Sequence, residues 1–196
     1  MANSASDARN SELVIRKKLL LDKVVDVMVN VGSNMFYTVT LPCQLWFLDK
    51  AKRKEARGDK VLFIDIREIY QQIDRSHREL SLAQVEFIAN IVNLYRGEVP
   101  EFIHGSEALF EAYKMDTQVY DDVLGLCKVA SLSEIEAQGW SLNPGRYVGV
   151  VAKEKLSATD FKAELSKRLE EFESLTKQSV DLENEISETL RGYVGK

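Results

Sequence analysis

Val24 to Val31 reads VVDVMVNV. A run this rich in β-branched side chains fits the pleated surface of a sheet and predicts a strand. Gly32, Ser33 and Asn34 end it. A second apolar run, CQLWFL from Cys43 to Leu48, is entered through Pro42, which a strand accepts at its start but not in its middle. The basic, turn-rich KAKRKEARGDK of Lys50 to Lys60 leads into a third, VLFID from Val61 to Asp65. Ahead of all three, ELVIRKKLLLD (Glu12 to Asp22) predicts a short helix that Asn10 or Ser11 can cap. Three strands behind one helix make the edge of a mixed sheet. Its apolar faces need helices or further strands that this chain does not obviously supply.

Further along, the character turns helical. SLAQVEFIANIVNLY, Ser81 to Tyr95, puts Leu82, Val85, Ile88, Ile91, Val92 and Tyr95 on one helical face, with Ser81 as N-cap. The acidic segment Glu98 to Asp122 reads as helix fragments and loop, and Ser131 to Gln138 as a short helix stopped by Gly139. A turn follows at Asn143-Pro144-Gly145. Ser157 to Arg191 contains neither glycine nor proline. Ser157 with Asp160 makes a capping-box-like start, and an interrupted apolar stripe runs along the segment. A straight helix of that length extends on the order of 50 Å, too long for so small a domain to cover, and predicts packing on another chain or in a bundle. The organisation expected is a flexible lead-in over 1–11, a sheet-forming part over 12–75, a helical region over 76–151 and a long assembly helix over 152–196.

Composition narrows the function. With 196 residues, 45% hydrophobic and 29% charged, the chain is an ordinary globular one. No apolar run approaches the roughly 20 residues that span a bilayer, and Met1 to Asn10 lacks the pattern of a signal peptide; the reading is cytoplasmic. Two cysteines, Cys43 and Cys127, and two histidines, His77 and His104, have none of the close spacings of structural zinc sites. The net charge of −5 argues against a self-sufficient nucleic-acid binder, although an acidic chain can act on DNA where a partner supplies the grip.

Four stretches resemble, in the family's order, the modification subunit of type I restriction–modification systems, which are N6-adenine DNA methyltransferases. They are IRKKLL at Ile15 to Leu20, NMFYTVTLPCQLWFLDKAK at Asn34 to Lys52, KVLFIDIRE at Lys60 to Glu68 with SHRELS from Ser76, and LNPGRYVG at Leu142 to Gly149, preceded by GLCKVASLSEIEAQGW from Gly125. The resemblance spans nearly the whole chain. It implies an α/β fold: the C-terminal edge of a Rossmann-like methyltransferase sheet, a mostly helical region and a long C-terminal helix. It also implies S-adenosylmethionine as methyl donor, the N6 of adenine as acceptor, and assembly with a specificity subunit that reads DNA and, optionally, a restriction subunit.

The departures matter as much. No two glycines stand two positions apart, the closest being Gly192 and Gly195, so the family's glycine-rich cofactor turn is absent. So is its Asn-Pro-Pro-aromatic tetrapeptide; Asn143-Pro144-Gly145 lacks the second proline. The adenine amino group is a poor nucleophile because its lone pair is delocalised into the ring, and the tetrapeptide's acceptors help to localise that pair. A chain without them, and without a cradle for the donor, is expected to be inactive alone and to bind no cofactor by itself. The resemblance leads to the expectation of a break from an N-terminal half close to Met1, through an interrupted gene, a split subunit or an internal start.

In the family an aromatic residue stacks the flipped target base; Phe36 matches that place, with Tyr37 beside it. The plainer reading is that both cap the core after the first strand. Lys50, Lys52, Arg53 and Lys54 are candidates for phosphate contact, or simply a solvated loop. Leu165, Leu169, Phe172, Leu175, Leu182 and Ile186 form the stripe that would dock the specificity subunit. Arg146 and Tyr147 are expected to fix the junction before the helix. Three readings follow: part of an enzyme regaining adenine methylation with its N-terminal half, a non-enzymatic module that binds the specificity subunit, or a remnant whose exposed strands aggregate.

Overall fold

A computed structural model of the chain describes residues 4–7, 11–36, 40–151 and 158–194. The chain divides into two compact units, Met1–Val151 and Ala152–Lys196. The first is a mixed α/β unit. Its elements are α1 (Ser4–Asp7), α2 (Ser11–Leu21), β1 (Val25–Val31), β2 (Cys43–Leu48), β3 (Lys60–Asp65), a small hairpin of β4 (Gln71–Asp74) and β5 (His77–Glu79), α3 (Leu82–Arg96), α4 (Glu107–Tyr113), β6 (Cys127–Ser131) and α5 (Leu132–Ala137). The second holds α6 (Ala158–Val194).

The main sheet runs β2-β1-β3-β6. Its central pair, β1 and β3, is parallel, and the outer strands are antiparallel to their neighbours. Every residue of β1 is buried, as a strand covered on both faces requires. One face builds a core of Val27, Val29, Leu62 and Ile64 against Phe87, Ile91 and Leu94 of α3 and Phe110 of α4. The other packs Val25, Met28, Val61 and Phe63 against Leu20 of α2, Ile135 of α5 and the Leu142–Val148 segment.

Local chemistry sets the boundaries. Ser81 accepts from Gln84 N and Gln84 reaches back to Ser81 N, a complete capping box, and Gly97 ends α3 in the left-handed region at φ 75°. Ser131 and Glu134 form a second capping box at α5, where Ser131 also closes β6, and Gly139 follows at φ 68°. Cys127–Ser131, inside the segment expected to be helical, is a strand of the main sheet: its backbone pairs with Lys60–Ile64.

Three further expectations differ from the structure. Residues 4–7 of the expected flexible lead-in form a helical turn that is tied down: Arg16 donates to Ala5 O at 2.8 Å, and Leu142 N donates to Ser6 O at 2.9 Å. The apolar faces of VVDVMVNV, expected to need cover that the chain does not obviously supply, are roofed on both sides by its own elements; flanked by β2 and β3, it is the best-buried strand. On α3 the core takes Phe87, Ile91 and Leu94, whereas Leu82 (67%) and Val85 (48%) of the expected face remain exposed. The Ser157–Asp160 cap and Tyr37 lie outside the residues described.

Candidate functional site

Because β1 and β3 are parallel, their carboxyl ends lie together, with Asn30 opposite Asp65. In open α/β sheets that end is where ligands bind. Gly32 lets the chain leave β1 hard against its neighbour: a Cβ there would come within 3.1 Å of Arg67 O. Asn30 is buried, accepts from Gln44 Nε2 at 2.9 Å and donates to Asn143 Oδ1 at 3.4 Å. Asn143 Oδ1 also takes Gly145 N at 3.2 Å. The LNPGRYVG turn is thus closed onto the strand end by amides.

Arg67 grips Asp65 with two nitrogens, Nε at 2.9 Å and Nη2 at 2.7 Å; this pairing raises the pKa of the guanidinium above its ordinary value. Its side chain is still 54% exposed and leaves a cation at the mouth of the strands. Tyr147 stacks on Phe63 with ring centroids 4.0 Å apart and donates to Ser141 O at 2.6 Å. Arg146 pairs with Asp7 at 3.1 Å. Both therefore bind the turn into the first unit.

Phe36 stands in the loop leaving β1, 47% exposed. With Asp74, Ser76 and His77 it lines a cavity of about 360 Å³. The β4–β5 hairpin is held to this loop by Arg78 N, which donates to Asn34 O at 2.9 Å. Asp74 orders the hairpin's turn: it accepts Ser76 N at 2.7 Å and Ser76 Oγ at 3.0 Å, and these bonds lower its pKa. An aromatic face bordered by a hydroxyl, an imidazole and a carboxylate suits a flat heteroaromatic ring: the ring face stacks while its polar edge meets donors and acceptors. The sequence reading singled out Phe36 but missed its neighbours. The signal for Ser76 and His77 was SHRELS, whose hairpin register is visible only in three dimensions, and Asp74 had none.

The basic stretch lies elsewhere. It follows β2 and precedes β3, at the amino end of β1, a strand length of roughly 20 Å from Phe36 at ~3.3 Å per residue. Lys52 is a correction: it is fully buried and cannot meet a phosphate. Its Nζ donates to Val25 O at 2.6 Å and lies 3.7 Å from the buried Asp26 carboxylate. Burial pulls the Lys52 pKa down, with Asp26 opposing. Arg53 donates to Asp22 O at 2.6 Å; Lys50, Arg53 and Lys54 are exposed. The stripe residues Leu165, Leu169, Phe172, Leu175, Leu182 and Ile186 are each more than half exposed on α6.

A model of the N-6 DNA Methylase family matches residues 1–156. The chain belongs to this family. Its relatives within the N-6 DNA methylases include the type I restriction enzyme MjaIX methylase subunit of Methanocaldococcus jannaschii, 34% identical across 97% of this chain and 30% of that protein. The HindI methylase subunit of Haemophilus influenzae is 28% identical across 96% of this chain and 38% of the relative. The chain therefore spans about a third of the length of these methylases. Among solved structures, the type I restriction–modification methyltransferase subunit of Streptococcus thermophilus shares the fold, with a TM-score of 0.58 at 21% identity over 76% of this chain and 25% of that one.

Proposed function

We propose that this chain is the carboxyl-terminal part of the modification subunit of a type I restriction–modification system and holds the target adenine for N6 methylation in the assembled complex. Its sheet is then the trailing edge of a Rossmann-like methyltransferase sheet. The observation that carries the reading is the half-exposed Phe36 ring at the carboxyl end of β1, in a chain of the N-6 DNA methylase family. Phe36 stacks the extruded base, and the Asp74–Ser76–His77 wall meets its polar edge.

S-adenosylmethionine would supply the methyl group. The described residues do not fit it: Gly32, the glycine after the central strand, faces the backbone of Arg67 rather than an open cradle. The donor and the acceptors of the amino hydrogens then belong to the portion of the subunit outside this chain, and this chain alone is inactive.

Complementation tests the proposal. The chain is mixed with the N-terminal half of the subunit and with the specificity subunit, and methyl transfer to adenine in DNA is measured. Transfer is expected, and Phe36→Ala should lower it about tenfold or more while assembly is kept, since base–aromatic stacking contributes ~1–3 kcal/mol. A soluble, assembled mixture without transfer overturns the reading.

One observation favours a second reading, a non-enzymatic module that binds the specificity subunit: the apolar stripe of α6 is exposed throughout its described side chains. In that case deletion of 158–194 abolishes association, and S-adenosylmethionine has no effect on it. Unchanged association after the deletion removes this reading.

A further inference from the structure

The β4–β5 hairpin forms a sheet of its own, outside the main one. All four residues of β4 are exposed, and nothing from Gln71 to Glu79 enters either hydrophobic core. A lone two-stranded hairpin is at best marginally stable in water. This one is nonetheless ordered, by side chains rather than by burial. Gln72 Nε2 donates to Asp74 O and, at 3.2 Å, to His77 O across the turn. Arg78 Nε donates to Gln72 Oε1 at 3.1 Å, and its guanidinium lies 4.0 Å from the centre of the Tyr70 ring. Asp74 is closed on Ser76, and Arg78 N is bound to Asn34 O. The turn is thus fixed in shape and held against the loop that carries Phe36.

Arg75 stands at the tip of this braced turn. It lies between Asp74 and Ser76, two of the residues that line the Phe36 cavity. Its side chain is exposed, and among the described residues no carboxylate pairs with it. The nearby arginines are engaged, Arg67 with Asp65 and Arg78 with Gln72 and Tyr70. The hairpin's own acids do not answer Arg75 either. Glu79 sits at the open end of the ladder, opposite Gln71, and Asp74 Oδ1 is taken up by Ser76 N and Oγ. An unpaired guanidinium on a rigid tip adds nothing to the fold. It is also the side chain best suited to a phosphate: planar, always charged and able to donate twice.

We propose that Arg75 binds a DNA phosphate flanking the target adenine, so that the hairpin holds the extruded nucleotide by its backbone while Phe36 holds it by its base. This contact rests on the functional reading above and adds the DNA strand to it. Connectivity supports the choice of occupant. A base is joined to its phosphates through a single sugar. A base stacked on Phe36 and edged by Asp74, Ser76 and His77 therefore brings its own phosphates beside the residue between Asp74 and Ser76. Charge agrees with this placement. A chain of net charge −5 has no broad basic face to offer DNA, but one cation set beside the base suffices to fix the position of that nucleotide.

The test reads DNA binding and its salt dependence, in the complex of this chain with the N-terminal half of the subunit and the specificity subunit. The DNA carries the site that the complex methylates. It has either natural phosphates or neutral methylphosphonates on both sides of the target adenine. Arg75→Gln should weaken binding to natural DNA about tenfold and reduce the slope of log K against log[salt] by ~0.9, the share of one phosphate contact. Arg75→Lys keeps the charge and should keep the slope. On methylphosphonate DNA the gap between wild type and Arg75→Gln should close, because the phosphate charge that Arg75 meets is gone. Arg75 is exposed, so thermal unfolding of both variants should match the wild type and checks that they fold. An unchanged slope in Arg75→Gln, or a gap that persists on methylphosphonate DNA, overturns the proposal while the functional reading stands. Loss of assembly in place of DNA affinity assigns Arg75 to a protein partner and also overturns it. A wild-type complex that binds its site without methyl transfer overturns both.

Discussion

At the amino end of β1, Asp26 is sealed from solvent and held by Arg57 at 2.5 Å, Arg96 at 2.7 Å and Lys52 at 3.7 Å. At the carboxyl end, Asn30 meets Gln44 and Asn143 through uncharged amides, and beyond it Phe36 and Arg67 stand half open. The two side chains are four residues apart on one strand, about 13 Å at ~3.3 Å per residue. This carboxylate, taken out of water, is met by fixed cations that come from the loop between β2 and β3 and from α3. That end is committed to holding the unit together. Neutral amides anchor the other end without filling it, so an aromatic ring and a half-exposed guanidinium, paired with Asp65, stand beside the strand mouths. The contrast also explains why a basic loop that looks suited to DNA is spent on structure: Arg57 binds Asp26, Asp49 and Glu55, and Lys52 is buried.

Removing the buried charge should break this comparison most forcefully. Asp26→Ala leaves Lys52, Arg57 and Arg96 converging on a site without an anion, and taking away one partner of a buried ion group costs about 3–5 kcal/mol. The urea midpoint should fall accordingly. A loss under about 1 kcal/mol would mean that the amino end is no more structural than the carboxyl end.

Acid sharpens the contrast by a different route. Glu86 is a second buried carboxylate, in the second turn of α3, but its partners are backbone donors: Ile103 N at 2.6 Å, His104 N at 2.8 Å and Ser106 N at 3.1 Å. Burial raises its pKa; the Ser106 side chain and these N–H groups outweigh burial and hold it down at about 2, below the ordinary 4.5. The folded state therefore binds this proton more weakly than the unfolded one. The stabilisation is complete above pH 4.5 and is lost as pH falls toward 2. Urea midpoints of the wild type should decline through that window. Glu86→Gln should be less stable at neutral pH and show a flatter decline; an identical slope would show that Glu86 does not carry the effect.

The strands VDVMVNV, CQLWFL and KVLFID were legible because β-branched and aromatic runs broken by glycine and proline leave few alternatives. The capped starts of α3 and α5 were legible for the same local reason, since Ser-x-x-Gln and Ser-x-x-Glu announce themselves. β6 was not. CKVAS is short and mixed, and only pairing with β3 makes it a strand. At the site, Phe36 could be named from its place in a motif. Asp74, Ser76 and His77 could not, because their nearness to Phe36 depends on a hairpin folding back over the loop. Lys52 was misjudged because a lysine among lysines reads as solvated, and its burial follows from the backbone oxygens of Val25 and Lys60 that happen to meet its tip.

A smaller effect is expected at the amide end. Asn143 joins the turn to β1 by accepting from Asn30 and from Gly145 N, bonds of 3.4 and 3.2 Å between neutral groups. Asn143→Ala should lower stability by about 1 kcal/mol, the net worth of such bonds. This is several-fold less than at Asp26, and a urea titration resolves the difference. Equal losses at the two positions would remove the distinction between a charged anchor and a neutral one.

The smallest effect on stability belongs to the residue with the largest proposed role. Phe36 is 47% exposed and appears in neither hydrophobic core. A substitution at such a position stays within about 0.5 kcal/mol, so Phe36→Ala should unfold at nearly the wild-type urea concentration. If Phe36 merely capped the core after β1, its removal would instead open a cavity and cost about 3–5 kcal/mol. The two readings thus differ several-fold on one titration of the isolated chain, before any partner, cofactor or DNA is added. A stability left intact places the ring where a base can use it; a large loss returns it to the core and leaves the cavity with Asp74, Ser76 and His77 without its aromatic wall.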